Sequence, residues 1–336
     1  MGFPPSYFLF ILTLFLGSFL SISSSSWLGA WIGLELNLLS FIPLIASKSN
    51  PYYSEAALKY FLIQAIGSSI IIMSSSLQLF SNSLYFILLI LSLILKMGAA
   101  PFHLWFPQVM EGLSWSQVSL LLSIQKLAPL YLISYLTFTP FSSSIIIISS
   151  ILSSIFGALG GLNSLKLRKI LAYSSINHLS WMLTAVLINE AILFFYFTFY
   201  IFISLSIIFV FSYFRAFYFS DLFVLNFPNK IIKFLIPITL FSLGGLPPFA
   251  GFLPKWFLIQ IMLNNNMYMI LTILLMSSLI TLFFYIRITI PFLILSTPTL
   301  SINFKFFKHN YFSLMLFTFV FFNFISLFLP LPFIFI

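Results

Sequence analysis

LGGLPPFAGFLPKW, residues 243–256, interrupts a long apolar run with Gly244, Gly245 and Gly251, with Pro247, Pro248 and Pro254, and with Lys255. A second stretch, GAAPFHLWFP at 98–107, repeats its pattern. Setting Gly98 on Gly245 puts Pro101-Phe102 on Pro248-Phe249 and Pro107 on Pro254, so G-x-x-P-F-x-x-x-x-P recurs 147 residues later. Lys96 stands just before the first stretch and Lys255 just inside the end of the second. A proline within a helix removes a donor and frees a carbonyl. Two proline-broken apolar helices at corresponding places in two halves of a chain predict an inverted repeat with an ion path at the breaks.

Composition sets the medium. The 336 residues are 61% hydrophobic and 6% charged, against roughly 25% charged in an ordinary soluble domain, so this is an integral membrane protein. Apolar runs of bilayer-spanning length recur along the chain and predict an all-α, polytopic fold rather than the short alternations of a barrel. No segment between the runs is long enough to fold as a soluble domain. The absence of cysteine removes disulfides and thiolate-held clusters, and three scattered histidines make no metal site. The start, MGFPPSYFLFILTLFL, lacks both the positive n-region of a signal peptide and the Arg-rich pattern of a transit peptide.

About eleven spans are expected. They lie near 3–21, 27–46, 56–78, from Leu84 to a break at Pro101, 115–136, 143–162, 172–189, 192–214, 232–262 with a break at Pro247-Pro248, 267–290 and 311–330. With this numbering Lys48, Lys59, Lys166, Arg168, Lys169, Arg215, Lys230, Lys233, Arg287, Lys305 and Lys308 all fall on the side of the N-terminus, and the opposite loops carry no lysine or arginine. That asymmetry places the N-terminus on the cytosolic-type side, which is the matrix in a mitochondrion, and the C-terminus opposite. The two breaks lie five spans apart and so cross in opposite directions. The expected organisation is a single membrane domain with a first five-helix repeat over 1–137, a second over 143–290, and a polar connection plus a final helix over 291–336.

The remaining basic residues, Lys96, Lys126 and Lys255, fall inside spans. A lysine at mid-bilayer costs on the order of 2.5–3.5 kcal/mol on insertion scales, and snorkelling rescues only those near an interface. Burial disfavours the charged form of an amine, so such groups are suited to taking up and releasing protons. Glu35, in WLGAWIGLELNLLSF, is the acid well inside a span; it needs a lysine or water as partner, or else stays neutral on a serine or backbone hydrogen bond. His178 in AYSSINHLSWM reads either as a relay or as an ordinary core histidine. His103 lies in the first break, on the path or satisfying carbonyls freed by Pro101. Glu111 and Glu190 stand at span ends as caps or anchors, and Lys59 is near enough to an interface to snorkel.

These residues carry a resemblance. SSSWLGAWIGLELNLLSFIPL around Glu35, EAALKYFLIQ at 55–64, LKMGAAPFHLWFPQV at 95–109, QKLAP at 125–129, GGLNSLKLRKILAYSSINHLSWM at 160–182 and LGGLPPFAGFLPKW run in order over most of the chain. Together they resemble the antiporter-like membrane subunits of respiratory NADH:ubiquinone oxidoreductase, in their short animal mitochondrial form. The resemblance implies a proton-translocating core subunit of the inner-membrane arm, beside sister antiporter-like subunits, lipids and internal water. It implies no cofactor on this chain, with NADH, FMN, iron–sulfur clusters and ubiquinone elsewhere in the complex. It also implies that Glu35, Lys96, Lys126 and Lys255 match the family's membrane-embedded glutamate and lysines, and that His178 matches its histidine. A free-standing cation/proton antiporter and a purely architectural subunit are the alternatives.

Overall fold

In hydrocarbon every backbone N–H and C=O has to be met within protein, so long apolar runs fold as helices. The computed structural model describes residues 5–46, 50–77, 82–137, 139–224 and 230–294. In chain order the helices are α1 (Pro5–Ser23), α2 (Trp27–Ala46), α3 (Pro51–Leu77), α4 (Asn82–Met97), α5 (Trp105–Gly112), α6 (Trp115–Leu122), α7 (Ile124–Ser134), α8 (Pro140–Leu162), α9 (Leu167–Ile188), α10 (Glu190–Phe214), α11 (Asp221–Val224), α12 (Lys230–Gly244), α13 (Phe252–Asn264) and α14 (Tyr268–Ile294). Apart from an isolated backbone bridge between Lys166 and Tyr218, the regular structure among the described residues is helical. Eight segments are long and apolar enough to cross a bilayer, and α4–α5 and α12–α13 form two broken crossings. These account for the first ten expected spans. The eleventh, near 311–330, lies outside the described residues.

Many serines tolerate hydrocarbon because they donate to carbonyls of their own helix, as Ser18 does to Phe15 at 2.8 Å and Ser150 to Ile147 at 2.7 Å. Glycines then let helix backbones approach. A Cβ on Gly17 would stand 2.8 Å from the Asn37 nitrogen, and one on Gly157 would stand 2.7 Å from the Asn177 nitrogen, which fixes the α1/α2 and α8/α9 contacts.

Three local expectations change. The span expected to run unbroken over 115–136 is interrupted at Ser123 (φ −105°, ψ −80°), whose hydroxyl and N–H both turn back to the Ser119 carbonyl at 2.7 and 3.2 Å. The basic stretch 163–169 is only partly a loop, because α9 begins at Leu167 and takes Arg168 and Lys169 into its first turn. The third span starts earlier than expected, at Pro51.

The basic residues gather at one end of the bundle. Glu111 at the end of α5 pairs with Lys166 and with Lys169, the latter at 2.6 Å, and Arg168 donates to the Leu113 carbonyl. Leu165 and Leu167 bond to the backbone of Phe219 and Phe217, and Arg287 near the end of α14 holds the carbonyls of Leu162 (2.7 Å) and Ser164 (2.9 Å). Turns separated by pairs of crossings therefore meet, as the charge pattern requires. Lys48, Lys305 and Lys308 lie outside the described residues. At the opposite end the chain presents aromatic groups instead: Tyr85 stands beside Trp27, and Tyr131 packs on Tyr135 and Phe194.

Candidate functional site

The sequence echo is an echo of backbone geometry. Helix α4 ends at Met97 and α5 starts at Trp105, while α12 ends at Gly244 and α13 starts at Phe252, each boundary displaced by 147 residues. Gly98 and Gly245 take φ of 73° and 80°. The Gly98 N–H reaches the carbonyls of Ile94 and Leu95 and the Ala99 N–H reaches Ile94; Gly245 reaches Phe241 and Ser242, and Leu246 reaches Phe241. This left-handed closure uses up carbonyls at a helix end, and glycine adopts it without a Cβ penalty. Each chain then re-enters a helix through a matching bond, Phe106 to His103 and Leu253 to Ala250.

What remains of the freed carbonyls is met differently. At the first break, the Leu95 carbonyl accepts from the Trp105 indole and the Lys96 carbonyl from the Gln64 amide, both at 3.1 Å. At the second, Lys255 Nζ itself donates to the Gly244 carbonyl at 2.8 Å.

All three central lysines are buried: Lys96 is 6%, Lys126 1% and Lys255 6% exposed. Lys96 occupies the last turn of α4, its stem lying along Gly67 of α3, where a Cβ would stand 3.0 Å from Lys96 Cγ. Glu35 on α2 acts on Lys96 through space, and its Oε2 is buried without a hydrogen-bond partner. The two do not form a direct ion pair: the pairs among the described residues are Lys59–Glu55, Lys166–Glu111 and Lys169–Glu111. Lys126 lies just past the break at Ser123. Its Nζ has no hydrogen-bond partner and sits 5.0 Å from the Phe106 ring centre and 5.3 Å from that of Tyr200. Ring faces attract a cation, but they neither donate nor accept its protons as an oxygen does.

His178 lies near Lys126 and Lys255. Its Nδ1 lies 2.9 Å from the Tyr196 hydroxyl, its ring 5.2 Å from that of Tyr200, and it stands beside the Leu243 backbone in the last turn of α12. It feels the charges of both Lys255 and Lys126. Lys255 lies over Trp181, one turn along α9 from His178, with Nζ 5.9 Å from the ring centre. Lys126, Tyr200, His178 and Lys255 thus form one contiguous buried series, with Glu35 and Lys96 beside it in the first half.

The other candidates separate from it. His103 stacks on Phe156 at 4.8 Å and stands beside the Pro101 backbone, within the break. Glu111 anchors the basic end as described, Glu190 is exposed in the first turn of α10, and Lys59 pairs with Glu55 at 2.6 Å on an exposed face. Sequence reasoning missed Tyr196, Tyr200, Gln64 and Gly67. The two tyrosines, one turn apart on a helix otherwise crowded with phenylalanine, were the available signal. Among the described residues no group of three His, Cys, Asp or Glu side chains is placed to hold a metal.

A family model described as NADH:quinone oxidoreductase/Mrp antiporter, TM, matches residues 24–83 and 74–281. The NADH-ubiquinone oxidoreductase chain 2 of Anopheles gambiae is 48% identical over 328 residues, covering 95% of this chain and 94% of the relative. That of Locusta migratoria is 39% identical over 294 residues, covering 85% of each. A chain in the structure of respiratory complex I from Thermus thermophilus shares the fold, with a TM-score of 0.88 at 22% identity over 98% of this chain and 80% of that one. A chain of the Mrp complex from Dietzia sp. shares it less fully, with a TM-score of 0.73 at 15% identity over 83% of this chain and 59% of that one. The chain belongs to the NADH-ubiquinone oxidoreductase chain 2 family.

Proposed function

We propose that this chain is a core membrane-arm subunit of NADH:ubiquinone oxidoreductase in the mitochondrial inner membrane, taking part in proton translocation from matrix to intermembrane space. Electron transfer from NADH through FMN and iron–sulfur clusters to ubiquinone belongs to the rest of the complex. In this reading the basic end of the bundle and the N-terminus face the matrix, and the C-terminus faces the intermembrane space. The halves 1–137 and 143–290 act as inverted repeats that hold one break each. The observation that carries the reading is the series of buried lysines at helix breaks, joined by Tyr200 and His178, with a buried carboxylate at one end.

Mechanistically, a change of charge at Glu35 shifts the electrostatic balance at Lys96. The proton then passes by water and Lys126 toward His178 and Lys255. Lys126 has ring faces and no fixed acceptor, so a proton on it is handed on through mobile water. Lys255 has the Gly244 carbonyl as a fixed acceptor and holds a charge in place. Neighbouring membrane-arm subunits, among them sister antiporter-like subunits, deliver and receive the signal at the two sides.

The test is Lys96→Met in the assembled complex in sealed vesicles, with NADH oxidation and proton translocation read together. The expected outcome is assembly with translocation lost or strongly reduced. Normal pumping would overturn the coupling role and favour a purely architectural subunit. Ion exchange by the purified chain alone would point to a free-standing antiporter.

A further inference from the structure

Helix α3 carries a polar stripe that the lysine series does not use. Tyr60, Gln64 and Gly67 follow one another at helical spacing on its inner face. Gln64 holds the Lys96 carbonyl and Gly67 makes room for the Lys96 stem, so this face already sets the position of one lysine. Tyr60 reaches the other. Its hydroxyl donates to Gln125 Oε1 at 3.0 Å, and Gln125 Nε2 donates to Asn37 Oδ1 at 2.8 Å. The Gln125 amide is pinned at both ends, and the residue after it is Lys126.

The place of this clamp matters more than its strength. Gln125 and Lys126 lie in the first turn of α7, directly after the break at Ser123, where the helix supplies no carbonyls to its own leading N–H groups. Lys126 N–H is held only by the Ser123 carbonyl, at 3.2 Å. Side-chain bonds from α2 and α3 therefore fix an end that the helix does not fix itself. Tyr60 is 2% exposed, its ring set between Phe41 at 5.1 Å and Trp105 at 6.1 Å, and it lies within the field of Glu35. A buried hydroxyl dipole responds to a nearby charge far more than a solvated one does.

We propose that Tyr60 and Gln125 are positioning residues that convey the charge state of Glu35 to the first turn of α7, and so to Lys126, by a route separate from Lys96. A change of charge at Glu35 alters the pull on the Tyr60 hydroxyl, which tightens or loosens one arm of the Gln125 clamp. The ammonium of Lys126 then shifts between the Phe106 and Tyr200 faces. This rests on the reading of Glu35 and Lys126 given above.

The experiment uses the assembled complex in sealed vesicles and compares Tyr60→Phe, Gln125→Leu and Glu35→Gln, singly and as the two pairs with Glu35→Gln. Tyr60→Phe keeps the ring packing and removes only the hydroxyl; Gln125→Leu cuts the same bond from its other side. Each is expected to slow proton translocation by about fivefold, the worth of one buried hydrogen bond. Combined with Glu35→Gln, neither should slow it further, because the link then has nothing to convey. A merely structural role would instead multiply the losses, and that result would overturn the inference. So would full-rate translocation in both Tyr60→Phe and Gln125→Leu. If Glu35→Gln alone pumps normally, the reading of Glu35 itself fails, and that variant is scored on its own.

Discussion

At the end of α4 the leftover carbonyls go to neutral donors, an indole and an amide, and at the end of α12 one goes to an ammonium. The helix ends match, from the left-handed glycine to the bond that reopens the helix, while between them the peptide before Pro101 is cis and the one before Pro248 is not. The difference begins with one side chain. Phe252 occupies the position that Trp105 holds in the first half, and it has no N–H to offer. Lys255, one turn further along α13, donates instead to a different carbonyl, that of Gly244, two residues beyond the counterpart of Leu95. Lys96 at the first break is not bonded to a carbonyl of that break and lies toward Glu35, whereas the second ties Lys255 to the scaffold. Similar helix ends thus carry differently placed lysines.

Alanine at each glycine separates backbone from chemistry. Both substitutions force a Cβ into left-handed backbone, at a cost of about 1–2 kcal/mol. At Gly245 the new Cβ would stand 2.9 Å from Lys255 Cδ and Nζ; at Gly98 it would stand 3.0 Å from Phe106 Cβ. The lysine tip moves aside easily, but it then leaves the Gly244 carbonyl. Gly245→Ala should lose most proton translocation per assembled complex. Gly98→Ala should lose stability, seen as a lower melting temperature of the solubilised complex, with a smaller loss of rate. Equal rates in the two variants would break the comparison.

Trp105→Phe makes the first break resemble the second without supplying the lysine. It removes one of the two donors to the Leu95 carbonyl, which keeps the Gly98 N–H, so the complex should lose about 0.5–1.5 kcal/mol of stability. Because the indole is a structural donor here, complexes that do assemble should translocate protons at close to the normal rate.

How the sequence yields one part of this and hides another follows from the same residues. Gly98, Pro101 and Pro107 repeat as Gly245, Pro248 and Pro254 because a helix that must stop inside hydrocarbon has few residues able to stop it. The break at Ser123 carries no such mark. A serine that turns back onto its own helix looks like any of the chain's other serines, and Pro129 lies six residues further on. Lys96, Lys126 and Lys255 stand out because a charge in an apolar run is conspicuous. Tyr60, Gln64 and Gly67 do not, since what they touch depends on how α3 rotates against α4 and α7, which local pattern does not set. The separation of Glu35 from Lys96 beyond ion-pair distance is likewise a property of packing.

The smallest expected effect lies outside the comparison and calibrates it. Glu111→Gln removes both ion pairs at the basic end, where the side chains are about a quarter to a third exposed. Such pairs are worth about 0–1 kcal/mol and weaken with salt. A melting-temperature difference that shrinks as ionic strength rises, with translocation unaffected, is the expected result.

The two breaks also have an outside. Pro101, Phe102 and Leu104 are exposed on the flank of this chain, and so are Pro247 and Pro248. With α4 running about 24 Å before it stops and α5 still to follow, the first of these patches lies within the length that crosses the bilayer. Kinked main chain facing acyl tails is something bilayers do not tolerate. A copy inserted by itself is thus an unfinished object, with two raw edges that only adjoining protein can seal. The features that let charge into the membrane make the polypeptide a poor solitary resident of it, and its lifetime in the cell should follow the supply of whatever closes those edges.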